Sequence, residues 1–179
     1  MTERFWLPAR ILHWLMAVLV IAMLFIGAGM VSTVSRTHEW LFAIHKPLGF
    51  TIFVLVIIRL IVRLIHKPPP LPADMPAWMR HAATLSHWLL YGLMFFLPLL
   101  GWSTLSAAGY PIQLAPHVHL PPIAPHNLAL YTFLRDAHGF GAYLLFFTYL
   151  AHLGAALFHH LIRKDGVLAS MLFGKNPAG

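Results

Sequence analysis

An all-α integral-membrane fold, a four-helix bundle with both termini on one side of the bilayer, is predicted by three observations. The 179-residue chain is 59% hydrophobic and 9% charged, with a mean hydropathy of +0.74; a soluble domain carries roughly a quarter charged residues. Four apolar runs are each long enough to cross a hydrocarbon core of about 30 Å. The basic residues gather at alternate ends of those runs, the pattern the positive-inside rule gives an even number of spans.

The first span is expected from Pro8 to Met30, with Pro8 in its first turn, where a missing N–H costs little. A short connection, Val31 to Trp40, leads to a second span from Leu41 to Ile65, with Pro47 early in it. The next connection, His66 to Pro76, contains Lys67-Pro68-Pro69-Pro70, which cannot continue a helix. The third span runs from Ala77 to Leu105, and Pro98 inside it should introduce a kink. Ser106 to Asp136 is long and rich in Pro and His; a structured cap with a short helix near its end is expected. The fourth span runs from Ala137 to Ile162. Residues 1–179 are expected to form one domain, and no small-residue cleavage site after the first span suggests a removable signal peptide.

Charge gives the orientation. Arg4, Arg10, Arg59, Arg63, Lys67, Arg80, Arg163, Lys164 and Lys175 lie on the side of the termini, against Arg36, Lys46 and Arg135 on the other. Nine against three places both termini in the cytoplasm. Because these residues flank apolar runs, the basic excess points to the membrane surface, not to nucleic acid. The absence of cysteine excludes disulfides, thiolate-bound clusters and haem attached through C-x-x-C-H.

Histidines carry the chemistry. In the fourth span His138, His152 and His159 are spaced by 14 and 7 residues, which puts all three on one helical face. His138 and His152 then stand about 21 Å apart along the axis. By depth, His45 of the second span matches His138 on the outer side, and His13 of the first span matches His152 on the inner side. For one intramembrane histidine an interhelical hydrogen bond is an equally good reading; four that match in pairs favour metal ligation. Two facing imidazoles suit a six-coordinate haem. Small residues beside them (Gly49, Gly141, Ala17, Ala155, Ala156 and Gly27) would leave room for a macrocycle. Arg59, 14 residues after His45, reaches the inner level and could pair with a propionate. A carboxylate di-iron centre needs core glutamates, but Glu3 and Glu39 lie outside the spans. Composition leaves copper open, while two metals about 20 Å apart beside small residues favour haem.

These pieces resemble the bacterial cytochrome b561 family. The resemblance rests on Leu12-His13-Trp14, His45 with Gly49, and Arg59-Leu60 with Arg63-Leu64 before a Pro-rich turn. It continues through His87 to Tyr91, His138-Gly139, Ala151-His152, Phe158-His159-His160 and Lys164-Asp165-Gly166-Val167-Leu168, and covers Trp6 to Phe173. It implies two haem b groups stacked across a bacterial inner membrane, with His13/His152 and His45/His138 as axial pairs. The family includes enzymes that oxidise superoxide on the outer face and pass electrons to ubiquinone. It also includes cytochrome b subunits of dehydrogenases and hydrogenases. The His- and Pro-rich third connection, with His117, His119 and His126, departs from the familiar pattern and bears on the electron donor; loop filling is the expected role of these three histidines.

The first expectation is therefore a superoxide:ubiquinone oxidoreductase. Lys46 and Arg135, with Arg36 as a third, would draw superoxide to an outer vestibule, although interfacial anchoring explains the same residues equally well. His87 and His159, expected at similar depth, would contact a quinone carbonyl, with Trp78 and Arg80 at the pocket mouth. His160 suits the helix dipole. The alternative is a relay that anchors a partner oxidoreductase docked on the third connection. A basic funnel at the outer site would favour the enzyme, and a flat apolar patch the relay.

Overall fold

The computed structural model describes residues 4–172, so Glu3 and Lys175, both used above, lie outside the described residues. Four long helices form the bundle: α1 Leu7–Ser32, α2 Arg36–Ile65, α3 Ala77–Ala108 and α4 Leu128–Phe158. Each is long and apolar enough to cross a membrane. The first and last described residues share one end of the bundle with the α2–α3 connection, the Phe5 N–H donating to the Ser170 carbonyl. The opposite end carries a hairpin of β1 Ile112–Ala115 and β2 Val118–Leu120, paired antiparallel with Ile112 opposite Leu120.

Local chemistry sets the helix limits. Pro8 occupies the first turn of α1, as its fixed φ favours. Ser35 caps α2 by accepting from the Thr37 N–H, so α2 begins at Arg36 instead of Leu41, and His45 sits two to three turns inside it. Gly109, at φ 75°, ends α3 in the left-handed conformation that glycine adopts freely. α3 continues unbroken through Pro98.

The largest departure from expectation concerns α4, which starts at Leu128 and not at Ala137. Arg135 and Asp136 end the apolar run, but they do not end the helix. Asn127 sets the start by accepting from the Leu130 N–H at 2.8 Å. The short helix expected near the end of the third connection is thus the first part of α4. The rest of that connection is the hairpin and an irregular strand tied to α3 through Trp102 Nε1 to the Pro121 carbonyl and the Ile123 N–H to Ser106 Oγ.

Buried apolar residues are few and stacked along the axis. Val20, Ile52, Leu97 and Leu145 form one layer, and Met16, Val56 and Tyr91 another. Large apolar side chains such as Phe25, Leu85, Phe140 and Ile162 face outward, as they do when the solvent is hydrocarbon. Packing is closest between α1 and α2 and between α3 and α4. Gly141 makes the second contact possible: a Cβ there would stand 2.7 Å from a methyl of Leu97. Its missing Cβ lets α3 and α4 approach closely.

Candidate haem sites in the membrane bundle

α4 meets α1 and α2 through imidazoles. At the hairpin end the His45 and His138 rings face each other with centroids 6.0 Å apart and planes at 66°. At the termini end His13 and His152 repeat this at 6.2 Å and 65°. Metal–imidazole bonds of about 2 Å on each side would fill most of such a separation, and the two ring radii the remainder. The 14-residue step between His138 and His152 sets the pairs about 21 Å apart along α4.

The hairpin-end pair opens on a cavity of about 640 Å³ that Lys46 and Arg135 also line, within the roughly 300–1,000 Å³ of cofactor and ligand sites. No carboxylate lines it among the described residues. His138 Nδ1 lies 3.0 Å from the Leu97 carbonyl. A carbonyl only accepts, so Nδ1 carries the proton and Nε2 is left as a metal-ready nitrogen. Gly101 of α3 leaves room for that ring, since a Cβ there would lie 3.3 Å from His138 Cε1. Gly49 lines the same cavity. His45 Nδ1 is buried without a protein partner. Lys46 Nζ rests 5.0 Å from the Phe42 ring centre, and the His38 ring stacks with Phe42 at 6.3 Å.

The termini-end pair is crowded. His87 of α3 stands 5.4 Å from the His152 ring, so it lies level with His152 and about two turns from His159, not at the depth of His159 as expected. Arg59 donates from Nη2 to His13 Nδ1 and from Nε to the Tyr91 hydroxyl, both at 3.0 Å. Its Nη1 is buried with no partner, and neither Arg59 nor Arg63 has a carboxylate partner among the described residues. A guanidinium only donates, so His13 Nδ1 accepts here, whereas a metal-bound histidine donates from its other nitrogen. The residues fit a haem at this end once Arg59 donates to a carboxylate in place of His13, and its orphaned Nη1 suits a propionate.

His159 is buried at the end of α4, with Nδ1 2.6 Å from Asp165 Oδ2. Trp78 and Arg80, expected at a pocket mouth, are exposed. In the hairpin region His117 sits in the turn at φ 66° and His119 pairs across from Gln113; both are exposed. The His126 ring lies over Gly109. Among the described residues no group of three or more ligating side chains could hold a metal ion in that loop or elsewhere. Sequence reasoning missed Gly101 and His38, whose roles depend on a neighbouring helix, and the partnership of Asp165 with His159, although Asp165 stood in a recognised motif.

Imidazoles facing in pairs between apolar helices are the arrangement of a membrane electron-transfer protein. The chain belongs to the prokaryotic cytochrome b561 family, whose model matches residues 4–174; this family binds haem b and transfers electrons in the membrane. Two relatives come from Escherichia coli K12. Cytochrome b561 homolog 1 is 32% identical over 138 residues, 77% of this chain and 78% of the relative. Cytochrome b561 homolog 2 is 32% identical over 180 aligned residues, 98% of this chain and 94% of the relative. A protein of Yersinia pestis named probable superoxide oxidase CybB is 29% identical over 165 residues, covering 90% and 91%.

Proposed function

We propose that this chain is a superoxide:ubiquinone oxidoreductase with two haem b groups, both termini being cytoplasmic. Haem b supplies one-electron transfer when bound. His45 and His138 would hold the outer group, His13 and His152 the inner one, and Arg59 an inner propionate. The observation that carries the reading is the hairpin-end cavity, where an imidazole pair and two cationic side chains meet with no lining carboxylate. Superoxide is a small anion, and a concave site lined by one sign of charge concentrates such a ligand and speeds its arrival. A relay docked to a partner would call for a flat apolar face here; the concave, cation-lined cavity favours direct reaction with a small donor. The similarity to the protein named probable superoxide oxidase points the same way.

At the cytoplasmic end, His87 and His159 are the candidates for contact with ubiquinone. His87 would act beside the inner pair and His159 nearer the membrane surface. The orientation rests on the bias of Lys and Arg toward the termini side.

Stopped-flow absorbance of the oxidised holoprotein mixed with superoxide, with and without ubiquinone, tests the proposal. Near-diffusion-limited haem reduction that slows steeply with salt, followed by reoxidation by quinone, is the expected result. Slow or absent reduction by superoxide, with ready reduction by chemical donors, would overturn it in favour of a relay.

A further inference from the structure

We propose that Asp165 is a positioning residue for proton delivery to the quinone: it holds His159 through Nδ1 and leaves Nε2 as the nitrogen that exchanges protons. The inference rests on the reading of the termini end as the quinone side.

It begins in the backbone. After Phe158 the helix widens into a π-turn, His159–Arg163, a local distortion that recurs at functional sites. Lys164 and Gly166 then take left-handed conformations, at φ 52° and 79°. A lysine adopts that conformation only at a cost, and here the result is to fold the chain back so that Asp165 meets His159. Both side chains are withdrawn from solvent, at 10% and 8% exposure.

The carboxylate is fully partnered. Asp165 Oδ2 receives His159 Nδ1 at 2.6 Å and Arg163 Nε at 3.0 Å, and Oδ1 receives the Val167 N–H at 3.2 Å. Arg163 also reaches Asp74 Oδ2 at 2.9 Å and the Met79 sulfur at 3.8 Å, which fastens the turn to the α2–α3 connection and the start of α3. Burial pushes the Asp165 carboxyl up, but the hydrogen bonds from His159, Val167 and Arg163 outweigh it and hold the group below the usual carboxylate range.

An ionised carboxylate only accepts, so His159 keeps its proton on Nδ1, and the ring orientation is fixed by the same bond. This is the role of the aspartate in a Ser-His-Asp triad, which orients an imidazole without itself becoming protonated. His159 lies about two turns beyond His152, toward the membrane surface. Reduction of a quinone to a quinol consumes two electrons and two protons. Haem b, when bound, would supply the electrons one at a time. His159 Nε2, which bears no proton in the neutral ring, takes one from water and passes it to a carbonyl oxygen, and the second proton of the quinol also comes from water.

The test follows reoxidation of pre-reduced holoprotein by a short-chain ubiquinone, fitted for a maximal rate and a half-saturating concentration. Haem content and reduced spectrum are checked for each variant. His159→Gln tests the underlying reading: a wild-type rate in that variant would show that His159 is not a quinone contact, and the inference would fall with that reading. With that rate lost, Asp165→Asn should lower the maximal rate about 10- to 100-fold, as loss of an orienting partner does, with the half-saturating concentration unchanged. A wild-type maximal rate in Asp165→Asn, or a change confined to half-saturation, would overturn the proposal while the quinone reading stands. Should Asp165→Asn fail to retain haem, Asp165→Glu takes its place: it keeps the charge and should stay within a few-fold of wild type, and a loss as deep as that of His159→Gln would overturn the inference.

Discussion

The two ends of the bundle carry the same pair of facing imidazoles in very different surroundings. At the hairpin end His45 and His138 look into a cavity of about 640 Å³ that Lys46 and Arg135 share. At the termini end His13 and His152 are hemmed in by His87, Arg59 and Tyr91, and the space beside Arg59, Arg63 and Met171 is only about 20 Å³. The C-terminal segment closes this end, its Met171 carbonyl accepting from Trp14 Nε1 at 2.9 Å and its Ser170 carbonyl from the Phe5 N–H at 3.2 Å. One paired-imidazole geometry is thus joined to two different accesses. An open cavity with cations suits a small anion arriving from water. A closed cluster with a buried carboxylate–histidine pair nearby suits controlled movement of protons.

The largest effect should come from breaking one pair. His152→Ala should abolish or severely perturb the termini-end haem signal and leave the hairpin-end spectrum nearly intact; His138→Ala should do the reverse. Haem-to-protein ratio and low-temperature difference spectra read the outcome. If both signals persist unchanged in either variant, the pairing by depth is wrong.

Why these pairs were legible in the sequence, and much around them was not, follows from the range of the forces involved. Helical periodicity alone aligns His138 with His152, and membrane depth alone assigns His45 and His13 to them. The start of α4 was misplaced because Arg135 and Asp136 interrupt the apolar run, whereas the helix is set by the Asn127 cap farther upstream. The short hairpin, bounded by Pro111 and Pro121, offers too few alternating residues to stand out. Gly101 against His138 is a contact between helices, invisible to any local pattern. Asp165 reaches His159 only because a π-turn and a left-handed lysine reverse the chain, and neither follows from residue preference.

A smaller effect, confined to the open end, should follow from reversing its charge. Lys46→Glu combined with Arg135→Glu should slow haem reduction by superoxide about 10-fold or more and flatten its salt dependence. Reoxidation by quinone should keep its wild-type rate. Equal slowing of both arms in stopped flow would show that the two ends are not functionally separate.

Smaller again is the effect of Gly101→Ala. Its new Cβ, 3.3 Å from His138 Cε1, requires the ring to shift by a few tenths of an ångström. The hairpin-end haem should show a shifted midpoint potential or absorption maximum in a redox titration, while the termini-end haem keeps its own. A shift of both would mean that the pairs are mechanically linked along α4.

The last effect belongs to the closed end and concerns stability. The Asp165 carboxyl is held below its ordinary range, because the hydrogen bonds from His159, Val167 and Arg163 outweigh the opposing effect of burial. The folded protein therefore binds that proton less readily than the unfolded chain, and the contribution to stability is complete above the ordinary Asp value of about 3.9. It fades as pH falls through the depressed folded value. Asp165→Asn should accordingly melt below wild type near neutral pH, and the gap should close on acidification below about pH 4. Thermal melts in detergent across that range measure it. A gap that stays constant down to the lowest pH would mean that the aspartate stabilises the turn by shape alone, without its charge.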